Sequence, residues 1–151
     1  MNIQKQRMDR MYGAVTRINA IYENYAKQNG MSYLEWQMFY ALQSAKEEEI
    51  CLTQKMLCDK LKASKSTVNS IVRKYLSEGL IELKDKTDNK KEKLVVLTEQ
   101  GKECTNRIVL PVMNAEMGVM AQISDEQLDV LIHAESVFAE GLEELLFQKK
   151  E

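Results

Sequence analysis

The sequence predicts a mainly α-helical protein with one small β-hairpin, and three observations lead to this fold class. Long stretches before residue 50 and after residue 98 carry apolar residues at the helical spacing of three and four. Two short β-prone runs, 81–84 and 93–97, flank a polar turn rich in lysine. Two short helical segments precede that hairpin, which is the order of elements in a winged helix-turn-helix.

The segment 64–79 is predicted to form a helix with two unlike faces. Ser64 has the side chain of an N-cap, and Gly79 follows the last polar turn, where a helix often ends. One face contains five apolar residues: Val68, Ile71, Val72, Tyr75 and Leu76. The opposite face and its flanks contain polar or basic residues: Lys65, Ser66, Asn69, Ser70, Arg73 and Lys74. Such a face is typical of a helix that enters the DNA major groove, although an ordinary surface helix is also polar outside.

A shorter helix is predicted over 54–61, with Thr53 as its cap. The link 62–64 is short enough to set the two helices at a steep angle, as in a helix-turn-helix. The lysine-rich turn 86–92 then forms the tip of the wing, whose basic side chains can pair with DNA phosphates.

The charge of the chain is unevenly distributed. Its formal net charge is −2, yet residues 51–93 hold eleven Lys and Arg against six Asp and Glu, a net +5. The remaining chain holds ten against seventeen, a net −7. Positive charge is therefore concentrated in the region that the motif assigns to DNA.

The segments SKSTVNSIVRKYLSEGLIE (64–82) and LVVLTEQG (94–101) resemble the MarR family of winged-helix transcriptional regulators. They correspond to the recognition helix of that family and to the Leu-Thr-x-x-Gly pattern that closes the wing. Two positions depart from the pattern. The wing of that family usually carries Asp-x-Arg; counted back from Thr98, Asn89 and Lys91 stand at those places here. Asp88 matches the aspartate only if one residue is inserted in the wing. Ser70 stands where the family often has arginine, so the base preference of the family is not inherited.

The resemblance implies a homodimeric repressor that binds double-stranded DNA at a palindromic operator and responds to a small aromatic effector. Residues on the recognition helix are expected to face base edges or nearby phosphates: Lys65, Ser66, Thr67, Asn69, Ser70 and Arg73. Thr53 and Lys74 are expected to anchor phosphates, and Lys90 and Lys91 to act from the wing. Five aromatic residues are candidates for an effector pocket: Tyr12, Tyr22, Tyr25, Trp36 and Tyr40.

The segment before the motif is predicted to contain two helices. The first covers 4–28, with an apolar seam at spacings of three and four that suits packing against other helices. Ser32 and Glu35 form a capping box that opens a second helix through about Ser44. The run 50–52 is predicted to be a short strand that pairs with the wing.

The segment after the motif is predicted to contain two long helices. The first runs from about Glu99 to Gln122, with a kink near 107–111 because Pro111 removes a helical hydrogen bond. A second capping box at 124–127 starts the last helix, which ends at about Phe147.

We therefore expect a single domain over 1–151, in which 1–30 and 99–151 form dimerisation helices and 31–98 form the DNA-binding region.

Other classes of function find little support in the sequence. It has no nucleophile elbow or Gly-rich phosphate loop, and its one histidine and three widely spaced cysteines suit no metal site, so we expect neither an enzyme nor a metal or cofactor. The N-terminus lacks the apolar core of a signal peptide and no run is long enough to span a membrane, so we expect a cytoplasmic protein.

Two alternative functions remain: a thiol-based redox regulator of the same fold, and a winged helix that binds other proteins and has no specific DNA site. Of the cysteines, Cys58 is expected to be buried, and Cys51 and Cys104 to be more exposed.

Overall fold

The chain forms seven helices and three strands within the residues that the computed structural model describes, 2–88 and 91–147. The helices are α1 (Ile3–Gln28), α2 (Tyr33–Glu47), α3 (Gln54–Leu61), α4 (Lys65–Ser77), α5 (Glu99–Ile108), α6 (Leu110–Met120) and α7 (Asp125–Phe147). The strands are β1 (Leu52–Thr53), β2 (Ile81–Asp85) and β3 (Lys93–Leu97). The chain divides into two compact units, the first ending at Pro111 and the second beginning at Val112.

The helices begin at the capping residues that the sequence predicts. At the start of α2, the Ser32 hydroxyl accepts from the Glu35 N–H at 3.1 Å, and the Glu35 carboxylate accepts from the Ser32 N–H at 2.9 Å. At the start of α7, Ser124 and Gln127 exchange the same two bonds. The hydroxyls of three further residues cap α3, α4 and α5: Thr53, Ser64 and Thr98. Both predicted capping boxes are confirmed.

The three strands form an antiparallel sheet in the order β1-β3-β2. Leu52 lies opposite Val95, so the predicted pairing of a short strand with the wing is confirmed. The strand begins at Leu52 rather than at the predicted Ile50, because the chain before it is still closing α2. There the Ile50 N–H donates to the Ala45 carbonyl at 2.7 Å, and Glu49 adopts a left-handed φ of 58°.

The core of the first unit lies under α4. Val68, Val72 and Tyr75 are buried on its inner face, as the helical pattern predicts. The Tyr75 ring meets Phe39 of α2 edge-on, with ring centroids 4.8 Å apart and planes at 85°. Packing on this side fixes the orientation of α4 and leaves its polar side outward.

The single helix predicted over 99–122 is wrong, because two helices occupy this segment. α5 ends at Ile108, Val109 forms a turn, and α6 begins at Leu110. Pro111 has no N–H to donate, and in an unbroken helix its ring would clash with the Arg107 carbonyl. The predicted disturbance near 107–111 is thus confirmed, as a break.

Candidate nucleic-acid interface

The outer face of α4 presents side chains that can form hydrogen bonds with base edges. Ser66, Ser70 and Arg73 are exposed there, and Asn69 is half-buried. Their spacing of three and four residues places them in one row along the helix. Serine and asparagine both donate and accept hydrogen bonds, whereas the arginine guanidinium donates two in parallel. The structure thus brings together the polar face that the sequence predicts.

The first turn of α4 is suited to an anion. Lys65 and Thr67 are exposed in this turn, and the Thr67 hydroxyl lies 2.8 Å from the capping hydroxyl of Ser64. The first backbone N–H groups of a helix point away from it, and the helix dipole favours negative charge there. A DNA phosphate would meet both the helix end and a lysine at this position.

Gln54, the first residue of α3, also belongs to the candidate interface. Its Nε2 donates a hydrogen bond to Asn69 Oδ1 at 3.3 Å, which links α3 with the outer face of α4. This bond leaves the Asn69 amide NH₂ available as a donor. The sequence analysis missed Gln54, because the pairing of residues 15 positions apart depends on the angle between the helices.

A groove of about 550 Å³ separates the helix-turn-helix from the wing. Its helix side includes Lys55, Lys65 and Asn69, and its wing side includes Leu83 and Lys93. Four lysines and one glutamate line it: Lys55, Lys65, Lys91, Lys93 and Glu92. The groove therefore attracts an anionic backbone. The sequence analysis did not predict Lys55, although a lysine in the first turn of α3 could have indicated a phosphate contact.

The base of the wing is closed by ion pairs between β2, β3 and the turn. Lys86 Nζ lies 3.2 Å from Glu92 Oε2, and this bond raises the pKa of Lys86. Lys93 pairs with Asp85 across the hairpin. Lys91 lies on the groove side, whereas Asn89 and Lys90, also predicted wing positions, lie outside the described residues.

Thr53 and Lys74, the predicted phosphate anchors, have other partners in the structure. The Thr53 side chain is buried, and its hydroxyl accepts from the Met56 N–H at 3.2 Å, as the cap of α3. The Lys74 ammonium lies 2.8 Å from a Glu35 carboxylate oxygen. The phosphate contact that the sequence predicts for each would require the side chain to leave its present partner.

The helix-turn-helix and the first strand of the wing are similar in sequence to a known family. The sequence model of the MarR family matches residues 29–91. The matched segment is less than half of the chain and contains α2, β1, α3, α4 and β2. The resemblance drawn from 64–82 is therefore confirmed. No curated protein sequence matches the chain.

Solved structures of MarR regulators share the fold over most of the chain. NMB1585, a MarR family regulator from Neisseria meningitidis, is 23% identical with a TM-score of 0.74, and the alignment covers 97% of each chain. AbsC, a MarR family regulator from Streptomyces coelicolor, is 18% identical with a TM-score of 0.72 over 94% of this chain and 96% of its own. Sco3205, a MarR family regulator from Streptomyces coelicolor solved in complex with DNA, is 21% identical with a TM-score of 0.71 over 94% and 93%. The predicted fold class, mainly α with a small β-wing, is confirmed.

Trp36 is the centre of an aromatic cluster in this MarR-type fold. Its side chain is buried, and its Nε1 donates a hydrogen bond to the Ile108 carbonyl at 3.1 Å. Four tyrosine rings have centroids 5.3–6.4 Å from the Trp36 ring: Tyr22, Tyr25, Tyr33 and Tyr40. The cluster contains four of the five predicted effector residues and adds Tyr33. The fifth, Tyr12, is 72% exposed on α1.

The three cysteines differ in exposure, and the sequence expectation was correct for one of them. Cys51 is exposed and lines a cavity of about 670 Å³ among the end of α2, the sheet and the start of α5. Cys58 is half-buried rather than buried. Cys104 is buried, so its predicted exposure is wrong; it lies on the inner side of α5, and burial raises the pKa of its thiol.

Among the described residues, 2–88 and 91–147, no cluster of His, Cys, Asp and Glu side chains has the arrangement of a metal site. No helix in that part of the chain is long and apolar enough to span a membrane.

Proposed function

We propose that this protein is a sequence-specific DNA-binding transcriptional regulator, acting as a homodimeric repressor on a palindromic operator. The observation that carries the proposal is the α4 outer face, flanked by the lysine-lined groove that leads to the wing. A polar helix face supplies base readout, and lysines beside it supply affinity for phosphates. The family match over residues 29–91 supports the same function.

The proposed DNA contacts divide into base readout and backbone binding. Ser66, Asn69, Ser70 and Arg73 face base edges, and Arg73 is suited to the O6 and N7 atoms of guanine. Positions at the helix start, in the groove and on the wing contact phosphates: Lys55, Lys65, Thr67, Lys90 and Lys91. Lysine is a compact point charge without the planar fork of arginine, so this wing is assigned to the DNA backbone rather than to minor-groove bases.

Exposed apolar rows on the long helices support a homodimer. On α1, Met8, Met11, Val15 and Ile18 recur at helical spacing, and each is at least 42% exposed. On α7, the exposed large apolar residues include a row at helical spacing: Leu131, Phe138, Leu142 and Leu145. Long amphipathic helices that leave their apolar rows in water are destabilised unless a partner covers them. Two recognition helices in such a dimer would read half-sites ~34–36 Å apart.

A small aromatic effector is assigned to the region of the Trp36 cluster. Tilted and edge-on rings, with centroids 5.3–6.1 Å from that of Trp36, favour a planar aromatic guest in the same layer. Tyr22, Tyr25 and Tyr40 are half-buried, so their outer edges are accessible to such a guest. Tyr12 is exposed on α1, so we do not include it in the proposed effector site.

The two alternative functions, a thiol-based regulator and a protein-association module, would use different residues of the chain. A thiol-based regulator is supported by one exposed thiol, that of Cys51. A protein-association module would use the same lysines for solubility and would select no DNA sequence. We assign the chain no enzymatic activity and place it in the cytoplasm, where a DNA-binding regulator would meet its operator.

Selection of binding sites from random duplex DNA tests the proposal. The purified protein is expected to enrich an inverted repeat with the stated half-site spacing at moderate salt. Weak, salt-sensitive binding without enrichment would contradict sequence-specific regulation and favour protein association. Repeating the selection with Arg73→Ala controls for contamination, since only the preference of α4 should change.

A further inference from the structure

The Lys74 side chain lies on the flank of α4, beside the proposed DNA-reading face. It follows Arg73 directly and lies four residues, about one turn, after Ser70. A lysine at this place has the reach to contact a DNA phosphate. In the structure its Nζ instead donates to Glu35 Oε1 at 2.8 Å, and it lies 5.0 Å from the centroid of the Tyr75 ring.

Glu35 is held in place to receive this lysine. Its second oxygen, Oε2, accepts from the Ser32 N–H at 2.9 Å, so the capping box of α2 fixes the carboxylate. The Glu35 side chain is 14% exposed, and that of Lys74 is 43% exposed. Burial alone would raise the pKa of Glu35, but hydrogen bonds from Lys74 and Ser32 outweigh it and lower the pKa. The acceptor is therefore ordered and charged before any DNA arrives.

We propose that Glu35 sequesters Lys74 from the DNA backbone and so limits the non-specific DNA affinity of this protein. The inference rests on the proposed function and concerns the same interface. A phosphate contact adds affinity for every sequence and carries no sequence information. Occupation of Lys74 by Glu35 therefore lowers the affinity for DNA of any sequence, and so limits how much of the protein is held at non-specific sites. Glu35 is a positioning residue, since it acts through Lys74 and not on DNA.

The replacement Glu35→Gln tests the inference without removing the capping box. Glutamine at this third helical position can still accept the Ser32 N–H bond, but it no longer carries the charge that holds Lys74. Affinity for a random-sequence duplex is measured at several salt concentrations. Glu35→Gln is expected to steepen the slope of log affinity against log salt by about 0.9, which corresponds to roughly threefold more loss of affinity between 50 and 200 mM salt.

Two further variants distinguish an effect that acts through Lys74 from an effect of the net charge of the protein. Lys74→Gln alone should leave the slope at the wild-type value, and Glu35→Gln with Lys74→Gln should restore that value. Glu99→Gln is the matched control, since Glu99 pairs with Lys102 on α5 and its loss changes the net charge by the same amount.

The outcomes distinguish this inference from the proposed function. If the wild-type protein binds no duplex at any salt concentration, the proposed function fails and the inference with it. If it binds DNA but Glu35→Gln leaves the slope unchanged, or steepens it no more than Glu99→Gln does, the inference alone is overturned. A flatter slope for Lys74→Gln alone would also overturn it, because Lys74 would then already contact phosphate.

Discussion

Gly101 of α5 lies directly against the carbonyl oxygen of Leu80. A Cβ built at Gly101 would stand 1.9 Å from that oxygen, far inside any real contact. The same carbonyl accepts from the Thr98 N–H at 3.1 Å, and the Thr98 hydroxyl donates to the Gly79 carbonyl at 2.6 Å. The pattern Leu-Thr-x-x-Gly therefore joins the end of the wing, the start of α5 and the turn after α4.

Gly101→Ala is expected to destabilise the protein by ~1–3 kcal/mol or more, because backbone must move to admit the methyl group. Urea unfolding followed by circular dichroism measures this change. Gly13→Ala is the matched control, since nothing lies within 4 Å of a Cβ at that helical position and alanine favours a helix. Equal stability of the Gly101→Ala variant and the wild type would contradict the close approach.

Arg73→Ala is expected to cost ~1–3 kcal/mol of binding free energy at one base pair of the operator and to relax selectivity there. The reason is that the exposed guanidinium is the strongest donor on the α4 outer face. Binding to operators with single base-pair changes measures the effect. A uniform loss on all sequences would instead assign Arg73 to a phosphate.

The Glu35–Lys74 ion pair predicts a pH dependence of stability. The folded protein lowers the pKa of Glu35 below its usual value of 4.5, so the carboxylate stabilises the fold above that pH. This contribution is lost as the pH falls below 4.5 through the lowered pKa. Glu35→Gln should thus be less stable than the wild type at pH 7, by about 1 kcal/mol or less for a partly exposed pair.

Unfolding free energies of wild type and Glu35→Gln at pH 7 and at pH 3 measure this dependence. The difference between the two proteins should shrink at the lower pH. A difference that stays constant with pH would show that the carboxylate charge contributes nothing to the fold.

Ile18→Glu is expected to convert the proposed dimer to a monomer, because it places a charge in the exposed apolar row of α1. Ile18 is 53% exposed in the single chain and would be covered in a dimer. Sedimentation velocity gives the mass of each species. Ala20→Glu introduces the same charge on the opposite side of α1 and should stay dimeric. A monomeric wild type would refute the assigned oligomer.

The three thiols are expected to react at different rates with a water-soluble disulfide reagent. Cys51 is exposed and should react first, whereas burial raises the pKa of Cys104 and keeps it protonated and covered. Single Cys→Ser variants assign each kinetic phase. A fast phase that persists in Cys51→Ser and disappears in Cys104→Ser would contradict the burial of the Cys104 side chain.

Local sequence signals predicted those parts of the fold that depend on neighbours in the chain. The caps at Ser32, Ser64 and Ser124 use residues three positions apart, so the sequence shows both partners. The break before Pro111 follows from one residue, although its sharpness was underestimated.

Features that depend on distant residues were not visible in the sequence. Lys74 and Glu35 are 39 positions apart, and Gln54 and Asn69 are 15 apart, so their contacts depend on how the helices pack. The burial of Cys104 likewise depends on which side of α5 meets the core.

The proposed DNA-binding surface consists of the α4 outer face and the neighbouring groove. Hydrogen exchange of the free protein and of the protein bound to its selected operator tests it most directly, because it maps protection along the chain. New protection is expected at the first turns of α3 and α4, around Gln54 and Ser66, and in the wing near Lys91. Protection confined to α1 or α7, with α4 unchanged, would contradict it.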